Sequence, residues 1–200
     1  MDSNIGEVVI NCLAYIRKLI QWKNFPNILQ ISRTEVQKEY KIIKVIWEKP
    51  KHPFIKLNID GSFSSNKVGI GGVFSDQQSK CILYFKSLIK AEDSIEAKTV
   101  ALYWALKMTV MNKWTHLQAE VDSSQLVNYM TGSSTPPWHI QQWIIIMQQL
   151  CKEIKLRFSF IYKEGNRPAN FLATDGADSQ MITVSTTPPS PLDCLLKGDK

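Results

Sequence analysis

The stretch Phe54 to Ser62, Phe-Ile-Lys-Leu-Asn-Ile-Asp-Gly-Ser, alternates apolar Ile55, Leu57 and Ile59 with polar Lys56, Asn58 and Asp60. Successive side chains of a β-strand point to opposite faces, so this period of two predicts a half-buried strand. Asp60 ends the polar set and Gly61 follows, which lets the backbone turn sharply and leaves the carboxylate exposed at the sheet edge. The design recurs from Leu117 to Ser124: Leu117, Ala119 and Val121 alternate with Gln118, Glu120 and Asp122, and two serines follow. If the two strands lie side by side and parallel, about 4.8 Å apart, Asp60 and Asp122 converge. Paired carboxylates at that range either hold a hard divalent cation or share one proton.

Two hundred residues with 44% hydrophobic content suit one globular domain plus extensions. No apolar run approaches the roughly 18 residues of a membrane span, and Met-Asp-Ser-Asn at the start lacks a basic region ahead of an apolar core. The chain therefore reads as soluble and unexported, with no membrane partner. Cys12, Cys81, Cys151 and Cys194 have no paired spacing, which argues against a disulfide framework or a zinc site and for reduced thiols. The net charge of +6 invites a nucleic-acid reading. Nine Lys or Arg against five acids place +4 of it in residues 1–53, whereas residues 54–200 carry 15 against 13. That distribution describes a basic arm, not a basic domain.

The organisation follows from periodicity. Residues 1–47 read as a helical extension, with amphipathic stretches over Ile5–Gln21 and from Ile28 to Trp47. Residues 48–53, with two prolines, read as a linker. Residues 54–178 form the domain, and residues 179–200, rich in Ser, Thr and Pro, read as a disordered tail. Within the domain, Val68–Phe74 is a strand whose Gly-x-Gly-Gly needs close backbone approach; it lacks the residues of a phosphate loop. Cys81–Phe85 completes an antiparallel meander. Ala97, Ala101, Trp104, Ala105 and Met108 fall at helical spacing, capped by Ser94. This crossover helix makes the strand at Leu117–Asp122 parallel to an earlier one. Short helices at Ser123–Met130 and after Pro137, a strand at Leu156–Tyr162 and a helix around Pro168–Ala173 follow. The order predicts an α/β fold with a mixed five-stranded sheet flanked by helices.

Four motifs then fall together: Lys-Leu-Asn-Ile-Asp-Gly-Ser (56–62), Val-Gly-Ile-Gly-Gly-Val-Phe (68–74), Glu-Val-Asp-Ser-Ser (120–124) and Lys-Glu-Gly-Asn-Arg-Pro-Ala-Asn-Phe-Leu-Ala (163–173). In this order they resemble the type 1 ribonuclease H domain, in the form abundant in plant genomes and derived from retroelement reverse transcriptases, over roughly residues 47–178. The resemblance implies an RNase H-like fold and an RNA–DNA hybrid as nucleic-acid partner. It also implies Mg²⁺ as cofactor, in two-metal cleavage of the RNA strand between ions that four carboxylates hold.

Asp60 matches the first of those acids and Asp122 the third, both metal ligands in the family pattern. The second should be a glutamate in an Ala-Glu-x-x-Ala-Leu motif, where Ala97-Lys98-Thr99-Val100-Ala101-Leu102 puts Lys98. Glu96 stands about 200° away round the helix and cannot replace it. The fourth falls on Asn170, and neither Asp175 nor Asp178 fits that slot. Four acids become two, with one lysine and one amide, formally −1. That charge does not hold two divalent cations, and Lys98 is expected to neutralise Asp60 and Asp122 instead. The residues thus predict an impaired nuclease; the alternative is a non-catalytic module that binds nucleic acid or a protein, or a retroelement remnant. His52, His116 and His139 share no spacing, and Trp104, Trp114 and Trp143 read as core or rim. Trp138 and Trp143, on one helix, are candidates for base stacking, although Trp143 shares the apolar stripe and so reads first as core. Glu164 and Asn166 are read as stabilisers of the turn before the last helix.

Overall fold

The computed structural model describes residues 45, 47–64, 67–179 and 181–197, all within the unit formed by residues 44–200. The helices expected in residues 1–47 lie outside the described residues, apart from Val45 and Trp47, which belong to no helix.

Strands β1 (Ile55–Phe63), β2 (Val68–Ser75) and β3 (Cys81–Ile89) form the antiparallel meander. Helix α1 (Ser94–Met111) then crosses to β4 (His116–Val121), which pairs parallel to β1. Helices α2 (Ser124–Thr131) and α3 (Trp138–Leu150) lead to β5 (Lys155–Phe160), parallel to β4. Helix α4 (Arg167–Ala177), strand β6 (Thr183–Ser185) and helix α5 (Ser190–Lys197) end the described chain. The sheet runs β5-β4-β1-β2-β3-β6, so it has six strands rather than the five anticipated.

The tail supplies the difference. Residues 183–185 pair antiparallel with β3, and α5 buries Leu192 and Leu196 with Val73, Cys81, Tyr84 and Leu172. Ser, Thr and Pro weighted the sequence reading toward disorder. Leu192 and Leu196, four apart, nevertheless share one helix face and cover apolar surface of β2 and β3.

Helix α1 packs on the opposite face. Leu102, Ala105 and Leu106 are fully buried with Leu57, Ile59, Phe74 and Phe85, the larger side chains each contributing about 1.5–3 kcal/mol of transfer free energy. Its cap is Asp93 rather than Ser94. Asp93 has the extended backbone of a cap, its carboxylate accepts from the Glu96 amide at 2.8 Å, and a negative charge there complements the helix dipole. On the α4 face, Gly71 makes close approach possible. A Cβ on Gly71 would lie 2.4 Å from the Ala173 amide nitrogen.

One expectation about β1 fails. Lys56, Asn58 and Asp60 are buried, so the strand is covered on both faces, not half-buried. Asp60 accordingly sits inside the sheet rather than exposed at its edge.

Candidate functional site

The parallel register between β1 and β4 aligns Ile59 with Val121, which carries Asp60 to the level of Asp122. Gly61 brings α1 to the same point: a Cβ on it would lie 2.6 Å from the Lys98 amide nitrogen. With the helix backbone held that close, the lysine side chain reaches both acids. Lys98 Nζ donates to Asp60 Oδ1 and, at 2.5 Å, to Asp122 Oδ1. Asp60 also accepts from the Gly61 amide at 2.8 Å and from Asn170 Nδ2 at 3.0 Å. The side chains of Asp60, Asp122 and Lys98 are only 3%, 9% and 13% exposed.

Burial alone would disfavour the ammonium, but the Asp60 and Asp122 charges outweigh it and hold the Lys98 pKa above its ordinary value. Burial, then repulsion from Asp60, raises that of Asp122, and Lys98 opposes both effects. The two carboxylates therefore tolerate each other because an ammonium lies between them.

The structure thus brings Asp60, Asp122, Lys98 and Asn170 together and leaves the other acids considered for the site, all among the described residues, elsewhere. Glu96 accepts from the Glu92 amide at 2.6 Å, at the start of α1. Asp175 pairs with Lys86 and Asp178 with Lys67, each at 2.5 Å. Among the described residues no three His, Cys, Asp or Glu side chains gather as a metal site. The four groups at the strand ends total −1, and the Lys98 charge occupies the space between the two remaining acids. This donor set does not fit a pair of divalent cations, which need several oxygen ligands and a net negative cage.

A second polar cluster lies along the same face of β1. Lys56 Nζ, fully buried, sits 2.8 Å from Glu120 Oε1, donates to the Glu48 carbonyl at 2.5 Å and lies 4.3 Å from the Trp47 ring centroid. Asn58 donates to Glu120 Oε2 and to Asn166 Oδ1, both at 3.2 Å, and accepts from Trp47 Nε1 at 3.1 Å. Asn166 donates to the Ile59 carbonyl at 2.9 Å. Sequence reasoning placed Asn166 in the turn before the last helix, where it lies, and Trp47 in an extension; the side chains of both also close this cluster. The available signal was the spacing of Lys56, Asn58 and Glu120 on facing polar sets of two parallel strands.

The remaining candidates are peripheral. His116 packs edge-on against Phe54, and His139 lies 3.5 Å from Asp93. Trp143 packs on Tyr103 and Trp114 on Phe74, while Trp138 is 82% exposed. Burial pushes the Cys81 and Cys151 thiols up to about 11, and Cys194 is exposed.

Comparison with known proteins places this fold. No curated protein matches the chain at a significant level. Among solved structures, the N-terminal RNase H domain of a Mycobacterium tuberculosis protein is 21% identical, with a TM-score of 0.59 over 62% of this chain and 94% of that one. RNase H1 from Halobacterium salinarum is 16% identical, with a TM-score of 0.59 over 62% and 98%. LC11-RNase H1, isolated from compost and solved in complex with an RNA/DNA hybrid, is 22% identical, with a TM-score of 0.58 over 62% and 96%. No helix among the described residues is long and apolar enough to cross a membrane. A family described as "Reverse transcriptase-like" matches residues 58–176, from Asn58 in the buried cluster to the last turn of α4, and the chain belongs to that family of RNase H-like domains.

Proposed function

We propose that this domain is a non-cleaving RNase H-like module that keeps the family's affinity for nucleic acid, the RNA–DNA hybrid foremost, and has exchanged its metal centre for a fixed internal cation. The observation that carries the reading is the single ammonium of Lys98, hydrogen-bonded to both Asp60 and Asp122. Two-metal chemistry needs ions that polarise the phosphate and activate water. A lysine neutralises the same acids but leaves no open coordination position, so Asp60, Asp122 and Asn170 keep a structural task only. The retroelement origin implied by the motifs fits: a domain no longer required to cleave can retain its fold after losing two of four acids.

The test is an RNA–DNA hybrid cleavage assay in Mg²⁺ and in Mn²⁺, with metal-free hybrid binding measured alongside. The wild type should bind without cleaving. Lys98→Glu with Asn170→Asp should be less stable without metal, through carboxylate repulsion, and regain stability as Mg²⁺ is added, through linkage. Robust cleavage by the wild type, abolished by Asp60→Asn, would overturn the reading.

A further inference from the structure

We propose that the outer edge of the sheet at β5, with the turn that follows it, is a docking track for single-stranded nucleic acid. The strand is a sheet edge, so one side of its backbone faces away from the other strands. Residues 152–167 contain five basic residues (Lys152, Lys155, Arg157, Lys163 and Arg167) against two acids, in a region 54–200 that is otherwise balanced. All five are exposed. None joins an ion pair among the described residues, so their charge is available to an outside anion. At the end of this basic strand stand two exposed aromatic rings, Phe160 at 43% and Tyr162 at 44%, in contact at 5.1 Å between centroids. The Ile161 amide donates to the Val121 carbonyl at 3.0 Å, which sets the ring pair beside the residue preceding Asp122.

Positive side chains on an edge strand also discourage strand-to-strand aggregation, and that accounts for Lys155 and for Arg157, which lies over the Phe54 ring. It does not account for Phe160 and Tyr162, because an edge guarded only against aggregation would not display two touching aromatic rings just ahead of Lys163 and Arg167 in the chain. A polyanion with open base faces satisfies both features at once: phosphates meet the cations and unpaired bases stack on the rings. A duplex hides those faces, so the occupant is single-stranded. The proposal rests on the nucleic-acid part of the reading above and names the strand chemistry that the edge would take.

The experiment is fluorescence anisotropy of labelled oligo-dT and oligo-rU, about 12 nucleotides long to match a single-strand footprint, with the full chain in EDTA across a salt series. The wild type should bind at low salt. Tyr162→Leu should weaken binding roughly tenfold, as loss of one stacked base does, whereas Tyr162→Phe should not. Lys163→Gln with Arg167→Gln should flatten the slope of log K against log salt by about 1.4, two phosphate contacts on a single strand. Lys113→Gln, at the far end of β4, should leave that slope unchanged. Thermal melting confirms that each variant is folded. Comparable binding of both oligonucleotides supports stacking without readout of the 2′-hydroxyl; preference for either supports the track and assigns its sugar. A folded wild type that binds neither strand, or variants with unchanged affinity and slope, overturns the proposal. Hybrid cleavage by the wild type would remove the non-cleaving reading alone, and loss of oligonucleotide binding with hybrid binding intact would remove this one alone.

Discussion

Lys56 and Glu120 form an ion pair inside the sheet, Nζ to Oε1 at 2.8 Å, with no exposure of the lysine side chain. Burial lowers the Lys56 pKa, and Glu120 works against that shift. Removing one partner of such a pair strands a buried charge, at about 3–5 kcal/mol, whereas replacing both by apolar groups is often near neutral. Lys56→Met is therefore expected to destabilise the domain by about that amount in urea unfolding, and Lys56→Met with Glu120→Leu should recover most of it. An equal loss in both variants would show that the lysine acts through packing rather than charge.

Trp47 and Glu48 extend the domain toward the amino terminus. The indole donates to buried Asn58, and the Glu48 carbonyl receives Lys56. Trp47→Phe keeps an aromatic ring and deletes the donor, so it should cost about 1–3 kcal/mol, the penalty for an unsatisfied buried acceptor. A chain beginning at residue 54 should lose more, because both partners go at once. Equal unfolding midpoints for chains beginning at residues 45 and 54 would show that this segment lies on the surface without holding it together.

These residues mark what the sequence made legible and what it did not. Alternation in Phe54–Ser62 and Leu117–Ser124 was enough to find two strands, because a period of two survives whatever packs on top; aligning Asp60 with Asp122 also needed the crossover helix, which makes the strands parallel. Burial did not follow from it. Alternation describes one polar and one apolar face, but Lys56, Asn58 and Glu120 satisfy one another, and a closed polar set can be covered like a core. Likeness to the ribonuclease H motifs pointed to Lys98 on the crossover helix and to Asn170 on α4, since register along each helix is a local property. The strand and helix at the carboxyl end were hidden for the opposite reason: β6 and α5 depend on a distant apolar surface around Val73 and Tyr84, not on their own composition.

Close approach of α4 to β2 is open to a direct test. A Cβ on Gly71 would lie 2.4 Å from the Ala173 amide nitrogen and 2.5 Å from the Leu172 carbonyl carbon, neither of which can rotate away. Gly71→Ala should therefore displace the helix and destabilise the domain by about 1–3 kcal/mol, the range for overpacking. Because Asn170 lies on that helix and donates to Asp60, the amide resonance of Asn170 should shift in the same variant. An unchanged Asn170 signal in a destabilised protein would place the strain elsewhere.

Lys98 supports a prediction whose sign distinguishes charge from packing. Its raised pKa means that its stabilising contribution is present below the ordinary value of 10.5 and is lost as pH climbs through the folded one. Lys98→Met leaves Asp60 and Asp122 facing each other with no cation and should cost about 3–5 kcal/mol at neutral pH. Asp122 already titrates above 3.8 through burial and Asp60, and the variant lacks the ammonium that opposed them. A carboxyl with a raised folded pKa takes up its proton in the folded state first, so stability rises as pH falls through that pKa toward 3.8. The deficit of Lys98→Met should therefore shrink on acidification, the reverse of what an ordinary paired carboxylate gives. Urea unfolding across this pH range measures it, and Lys98→Met with Asp122→Asn should be both more stable at neutral pH and nearly free of the dependence. A deficit that stays constant with pH, in single and double variant alike, would mean that the lysine stem fills space and that its charge does not hold the two aspartates together.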